Sequence, residues 1–153
     1  MENFNISVAL CESYDQENMS AIKFFNEVHA ENNKAQICIF SMINYVGSED
    51  VGLGLDYFIK CIKPEDIEYQ DTKIALFSIE AKGRKQENIN GYKVFESIMA
   101  QPREISFPTK GIYEIQVYEI GENIKGIEKA NERYKKYKSD HILPISAYRF
   151  YVK

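Results

Sequence analysis

Three cysteines and two histidines are the side chains of this 153-residue chain best suited to covalent or metal chemistry. A cysteine nucleophile needs an imidazole to take its proton, and Cys11 with His29 is the one pairing that neighbouring segments could bring together. The plainer reading of Cys11, and of Cys38 inside the apolar run "AQICIFSMINYV", is a thiol packed as a small hydrophobe. His29 and His141 both lack a second histidine or cysteine two to four residues away, the spacing zinc sites commonly use, so no metal is expected. The loop "ESYDQENMS" offers Glu12, Asp15, Glu17 and Asn18 as oxygen ligands. It lacks the D-x-[DN]-x-[DN]-G spacing of a calcium loop and reads as a solvated acidic turn. "VGSEDVGLG" has a G-x-G without the third glycine or a following helix, and no G-K-[ST] occurs, so no nucleotide cofactor is expected. Glu49 and Asp50 in that stretch read as a solvated loop tip.

Binding chemistry is concentrated in "NIKGIEKANERYKKYKSD". Ile127, Ala130, Tyr134 and Tyr137 recur at helical spacing, which predicts an amphipathic helix over about 124–138 with a Glu132–Lys136 pair on its outer side. Lys129, Arg133, Lys135, Lys136 and Lys138 could meet phosphates or an acidic protein, and the tyrosines could stack on bases. Nucleic acid is nevertheless not expected. Residues 1–121 carry 11 Lys/Arg against 19 Asp/Glu, whereas residues 122–153 carry 8 against 4, so the basic surface is local rather than broad. The residues chosen for a partner surface are Arg133, Tyr134, Lys136 and Tyr137, with a protein as the partner.

The elements that would position these groups are mostly strands. "FNISVAL" alternates, putting Phe4, Ile6, Val8 and Leu10 on one face. "IKFFNEVHA" does likewise with Ile22, Phe24 and Val28 inward. "AQICIFSMINYV" is apolar on both faces and predicts a central strand covered on both sides. Leu53–Cys61 alternates through Leu55, Tyr57 and Ile59. "KPEDIEY" predicts one helical turn, since Pro64 precedes two acids. "KIALFSIE" and "YKVFESIM" are further strands flanking the polar stretch "AKGRKQENING", whose Asn90-Gly91 suits a tight turn. In "PTKGIYEIQVYEIGENI", Tyr113, Ile115 and Val117 share one face and Glu114, Gln116 and Tyr118 the other, with Gly111 and Gly121 as flanking turn residues. A tyrosine at the start of such a strand is similar to the tyrosine corner of Ig-like sandwiches, whose hydroxyl bonds to nearby backbone. A closing strand is expected over about 146–152. Phe24, Phe40, Tyr113 and Val117 are the chosen core supports.

These segments predict a mainly β fold: an antiparallel two-sheet β-sandwich of seven to nine strands with one late amphipathic helix, forming a single domain over 1–153. A chain of this length can bury a core without metal or disulfide support. The odd cysteine count, the absence of a C-x-x-C pair and an opening stretch with no signal-peptide character predict a cytoplasmic protein. No run approaches the apolar length of a membrane span.

"SVALCESY", "IKFFNEVHA", "ICIFSMINY" and "GIYEIQVYEIGENI" together resemble an uncharacterised bacterial family of small β-sandwich proteins, over roughly residues 4–124. The resemblance implies a sandwich and no catalytic residues; residues 125–153 depart from it. Eleven Tyr and nine Phe without convergent catalytic groups predict a non-enzymatic interaction module that acts through protein–protein contacts, with homo-oligomerisation through exposed strand edges. Two other readings are open: an accessory protein of a phage or bacterial conflict system that sequesters a host or viral factor, and a small hydrolase or ligand-binding enzyme with an inter-sheet cleft.

Overall fold

The computed structural model describes residues 4–15, 17, 18, 20–47, 53–81, 85–89 and 92–153. In chain order the strands are β1 (Phe4–Asp15), β2 (Ser20–Phe25), β3 (Glu27–Val28), β4 (Lys34–Gly47), β5 (Leu53–Pro64), β6 (Lys73–Ala81), β7 (Lys85–Ile89), β8 (Tyr92–Ser106), β9 (Gly111–Glu119) and β10 (Ser146–Val152). One helix, α1 (Ala130–Ser139), lies between β9 and β10. The first sheet runs β2-β1-β4-β8-β7 and the second β3-β10-β9-β5-β6. Every described pairing is antiparallel except the two-residue contact of β3 with β10. The fold is therefore a mainly β, two-sheet antiparallel sandwich with one late helix. Among the described residues, no helix is long and apolar enough to cross a membrane.

Period-two alternation explains the layer between the sheets. Ile6, Val8 and Leu10 from β1 and Ile37, Ile39 and Ile43 from β4 face Leu55, Tyr57 and Ile59 from β5 and Tyr113, Ile115 and Val117 from β9 in one buried cluster. Each such side chain withdrawn from water contributes roughly 1.5–3 kcal/mol before the entropy of ordering is subtracted. Polar links also cross this layer: Tyr57 Oη and Ser41 Oγ are 2.8 Å apart, which satisfies two buried hydroxyls together, and Tyr148 Oη donates to the Phe25 carbonyl at 2.7 Å.

At the entrance to β9, Tyr113 Oη donates to the Thr109 carbonyl at 2.6 Å, the back-bond expected of a tyrosine corner. Gly111 beside it has φ +144°, and a Cβ there would sit 2.3 Å from the Lys63 carbonyl oxygen, so this position needs glycine for close approach of β5 and β9. The expected single turn after Pro64 is a short 3-10 segment, Ile67–Tyr69, whose first turn is capped by Asp66.

Several expectations are corrected. "IKFFNEVHA" is not one strand: β2 ends at Phe25 in the first sheet and β3 resumes at Glu27 in the second. Lys23 has φ 55°, and Phe25, not Phe24, lies opposite the buried Leu10. Phe24 is 55% exposed on the outer face, opposite Cys11. Phe40 also points outward, partly buried, so neither residue supports the inter-sheet core, whereas Tyr113 and Val117 do. The outer side of β4 carries no covering element among the described residues; Met42 there is exposed.

The polar stretch after β6 contains a strand, β7, which pairs with residues 92–96 of β8. Helix α1 begins at Ala130 rather than near 124, because residues 122–126 form turns, with Ile124 N bonded to the Gly121 carbonyl and Ile127 N to the Ile124 carbonyl. Glu132 pairs with Lys135, and Lys136 with Asp140, in place of the expected Glu132–Lys136 contact. The closing strand matches its expected range. Asn90-Gly91, Glu49 and Asp50 lie outside the described residues, as do the side chains of Phe4 and Ile22.

Candidate functional site

The outer face of the second sheet is where helix α1 docks. Alternation on β5 turns Asp56, Phe58 and Lys60 outward between the core residues Leu55, Tyr57 and Ile59. On α1, Ala130, Arg133, Tyr134 and Tyr137 share one face at i, i+3, i+4 and i+7. Phe58, Tyr118, Ile124, Tyr134 and Tyr137 form a second buried cluster. Tyr118 and Tyr137 stack with centroids 4.5 Å apart and planes 8° apart, and Phe58 meets Tyr134 edge-on at 4.9 Å.

Under this aromatic layer lies a buried ion pair. Asp56 is fully buried. Arg133 Nε donates to its Oδ2 at 2.7 Å and Nη2 to its Oδ1 at 2.6 Å, a bidentate fork. Tyr137 Oη adds a hydrogen bond to Oδ2 at 2.7 Å, and Ser78 Oγ bonds Oδ1. The remaining Arg133 donors reach the Ile127 and Glu128 carbonyls and Ser78 Oγ. All five guanidinium N–H groups are thereby engaged. Burial by itself would raise the Asp56 carboxyl, but the bonds from Arg133, Ser78 and Tyr137 and the charge of Arg133 outweigh it and hold the group below the usual carboxylate range. Burial and the neighbouring Asp56 push the Tyr137 phenol well up. A carboxylate with four donors and a guanidinium with no spare donor act as a clamp between helix and sheet.

A second chain of polar groups runs along the outer side of β9. Tyr118 Oη is 3.3 Å from Gln116 Oε1, Gln116 Nε2 donates to Glu114 Oε1 at 2.8 Å, and Arg149 Nε donates to Glu114 Oε2 at 2.7 Å. Burial pushes Tyr118 up to about 12. Burial opposes ionisation of Glu114 as well, yet Gln116 and Arg149 keep its carboxyl below the ordinary range.

Of the four residues chosen for a partner surface, Arg133, Tyr134 and Tyr137 are buried against the sheet and Lys136 stands at the surface. The structure thus brings three of them together, but as the helix's inward face. The sequence reading missed Asp56. Its signal was present: an acid and Phe58 at the outward positions of β5 require a cover, and a basic helix with tyrosines at helical spacing can supply one.

The cysteine pairing is also corrected. Cys11 lies directly across from Cys38 on β1 and β4, both buried, while His29 is exposed. Burial first, and Cys38 second, push the Cys11 thiol up to about 12, which opposes a nucleophilic thiolate at neutral pH. Asp15 spends its oxygens on Glu17 N and on the Asn18 backbone and side-chain nitrogens, a local turn.

The outer face of the first sheet contrasts with the helix-covered one. Across it lie Phe24, Cys11, Cys38 and Pro102 in one cross-strand row, Ala9, Phe40 and Ala100 in the next, and Ser7, Met42 and Ile98 in a third. Phe24 and Phe40 meet edge-on at 5.5 Å, and Tyr14 leans on Phe40 at 6.1 Å. Charges of both signs stand at outward positions beside these rows, Lys34 on β4 and Glu104 on β8 among them. Comparison with family models, with curated proteins and with solved structures finds no match to this chain.

Proposed function

We propose that the protein is a non-enzymatic interaction module whose partner is a second copy of itself, bound through the outer face of the β2-β1-β4-β8-β7 sheet. The observation that carries this reading is the asymmetry of the sandwich. One outer face is roofed by α1, whereas the other presents Phe24, Phe40 and Met42 with no covering element among the described residues. Contiguous exposed apolar surface of this kind marks association sites.

A second copy fits this face better than a charged partner does. The charges around it include both signs, so no single-sign field selects an acidic or basic molecule. Its relief is also self-complementary. Phe40 stands between Ala9 and Ala100 in its cross-strand row, so this large residue is flanked there by two small ones. A two-fold axis through such a face can set the rings of one copy over the alanines of the other. The alternative hydrolase reading needs a cleft between the sheets, and that layer is filled by core side chains and the Tyr57–Ser41 link. Three free, buried cysteines support a reducing location such as the cytoplasm.

Sedimentation velocity over a concentration series tests the proposal. The wild type should form dimers as concentration rises, and Phe24→Asp should remain monomeric with its fold intact. A wild type that stays monomeric at millimolar concentration, or a Phe24→Asp variant that dimerises as well as the wild type, would overturn it.

A further inference from the structure

Three lysines converge at the C-terminal end of α1, on the sheet face opposite to the proposed dimer surface. Lys60 on β5 and Lys73 on β6 are direct cross-strand partners, a placement in which like charges ordinarily repel. Lys138 from the last turn of α1 lies beside Lys60. Lys73 Nζ is 4.6 Å and Lys138 Nζ 5.7 Å from the centroid of the Tyr134 ring. Among the described residues Asp71 pairs with the group, its carboxylate 3.6 Å from Lys60 Nζ. Glu114, the cross-strand neighbour of Lys60 on its other side, is already engaged by Arg149 and Gln116.

An independent observation comes from Tyr134. The residue is 6% exposed, and its hydroxyl is fully buried without a hydrogen-bond partner. Such a group in a native protein calls for an explanation. The ammonium groups of Lys73 and Lys138 stand over the ring that carries this hydroxyl, which sets the phenol beside the lysine cluster. The helix terminus itself is an unfavourable place for an anion, but three of its last carbonyls are occupied: Asp140 N and His141 N bond back to the carbonyls of Lys136 and Lys138, and Ile142 N to that of Tyr137.

We propose that Lys60, Lys73, Lys138 and the Tyr134 hydroxyl form a binding site for a phosphate-type oxyanion, either free phosphate or a phosphate monoester. Three ammonium groups and one phenolic O–H match the several acceptor oxygens of a tetrahedral dianion. Binding relieves the repulsion among the lysines and supplies the missing partner of Tyr134.

The test is an NMR titration of the full chain with inorganic phosphate and, separately, with methyl phosphate, following lysine side-chain and backbone signals at constant ionic strength. Saturable shifts should localise to residues 60, 73, 134 and 138. Lys73→Gln and Lys138→Gln should each weaken binding by about tenfold, as expected for loss of one charged hydrogen bond. Lys135→Gln, on the outer side of α1, should leave it unchanged. Tyr134→Phe keeps the buried ring and should weaken binding severalfold. Tighter binding of methyl phosphate assigns a monoester, and tighter binding of phosphate assigns the free ion; either supports the site. Shifts reproduced by sodium chloride, or Lys73→Gln and Lys138→Gln variants with wild-type affinity, would overturn it.

Discussion

Asp56 concentrates the energetics of helix docking in one side chain. Replacing it by Asn leaves the Arg133 guanidinium buried without its counter-charge, a loss of about 3–5 kcal/mol for a buried pair broken on one side. Urea unfolding of Asp56→Asn should show that loss. Tyr137→Phe keeps the stack on Tyr118 and removes one hydrogen bond to the carboxylate, so its expected cost in the same assay is smaller, about 1–2 kcal/mol. The pH dependence follows from direction. The folded-state carboxyl of Asp56 titrates below its unfolded value of about 4. Its contribution is therefore complete above that value and is lost as pH falls through the lower folded one. Stability measured between neutral pH and acid should decline in that window for the wild type, and Asp56→Asn should lack this component. A variant that unfolds with the wild-type acid profile would detach Asp56 from the clamp.

At the scale of elements, the junction of β5 and β9 depends on one glycine. Gly111→Ala would place a methyl group against the Lys63 carbonyl in a backbone conformation that L-residues rarely adopt. A loss of about 2–3 kcal/mol is expected from thermal unfolding, through this strain rather than through a lost contact.

The same scale shows what was legible in the sequence. Buried alternation on β1, β5 and β9 specified the inner layer, because period two directly encodes which side chains enter it. The tyrosine corner was legible too, because Tyr113 stands at a strand start just after Gly111. Where backbone pairing or a switch of sheet decided the outcome, alternation gave no signal. β7 is polar and is held by pairing with β8, and the break at Asn26 sends Phe24 to the surface. The helix periodicity found Tyr134 and Tyr137, but Arg133 was assigned to a partner surface, since its acid, Asp56, is 77 residues away in sequence.

For the whole molecule, two outer faces have different fates. The second sheet is closed by α1 through aromatic packing and the Asp56–Arg133 clamp, and the first, uncovered among the described residues, is the face proposed for another copy. Phe24 is mostly exposed, so Phe24→Asp should change monomer stability by no more than about 0.5 kcal/mol while abolishing association. That separation of stability from assembly distinguishes a docking surface from a core position. The most direct measurement is an isotope-filtered NOE experiment on a mixture of labelled and unlabelled chains, which reports contacts between copies alone. Intermolecular NOEs connecting Phe24, Phe40 and Met42 with Ala9 and Ala100 are predicted. A dimer whose intermolecular NOEs fall elsewhere, or a sample at high concentration with none, would contradict the account.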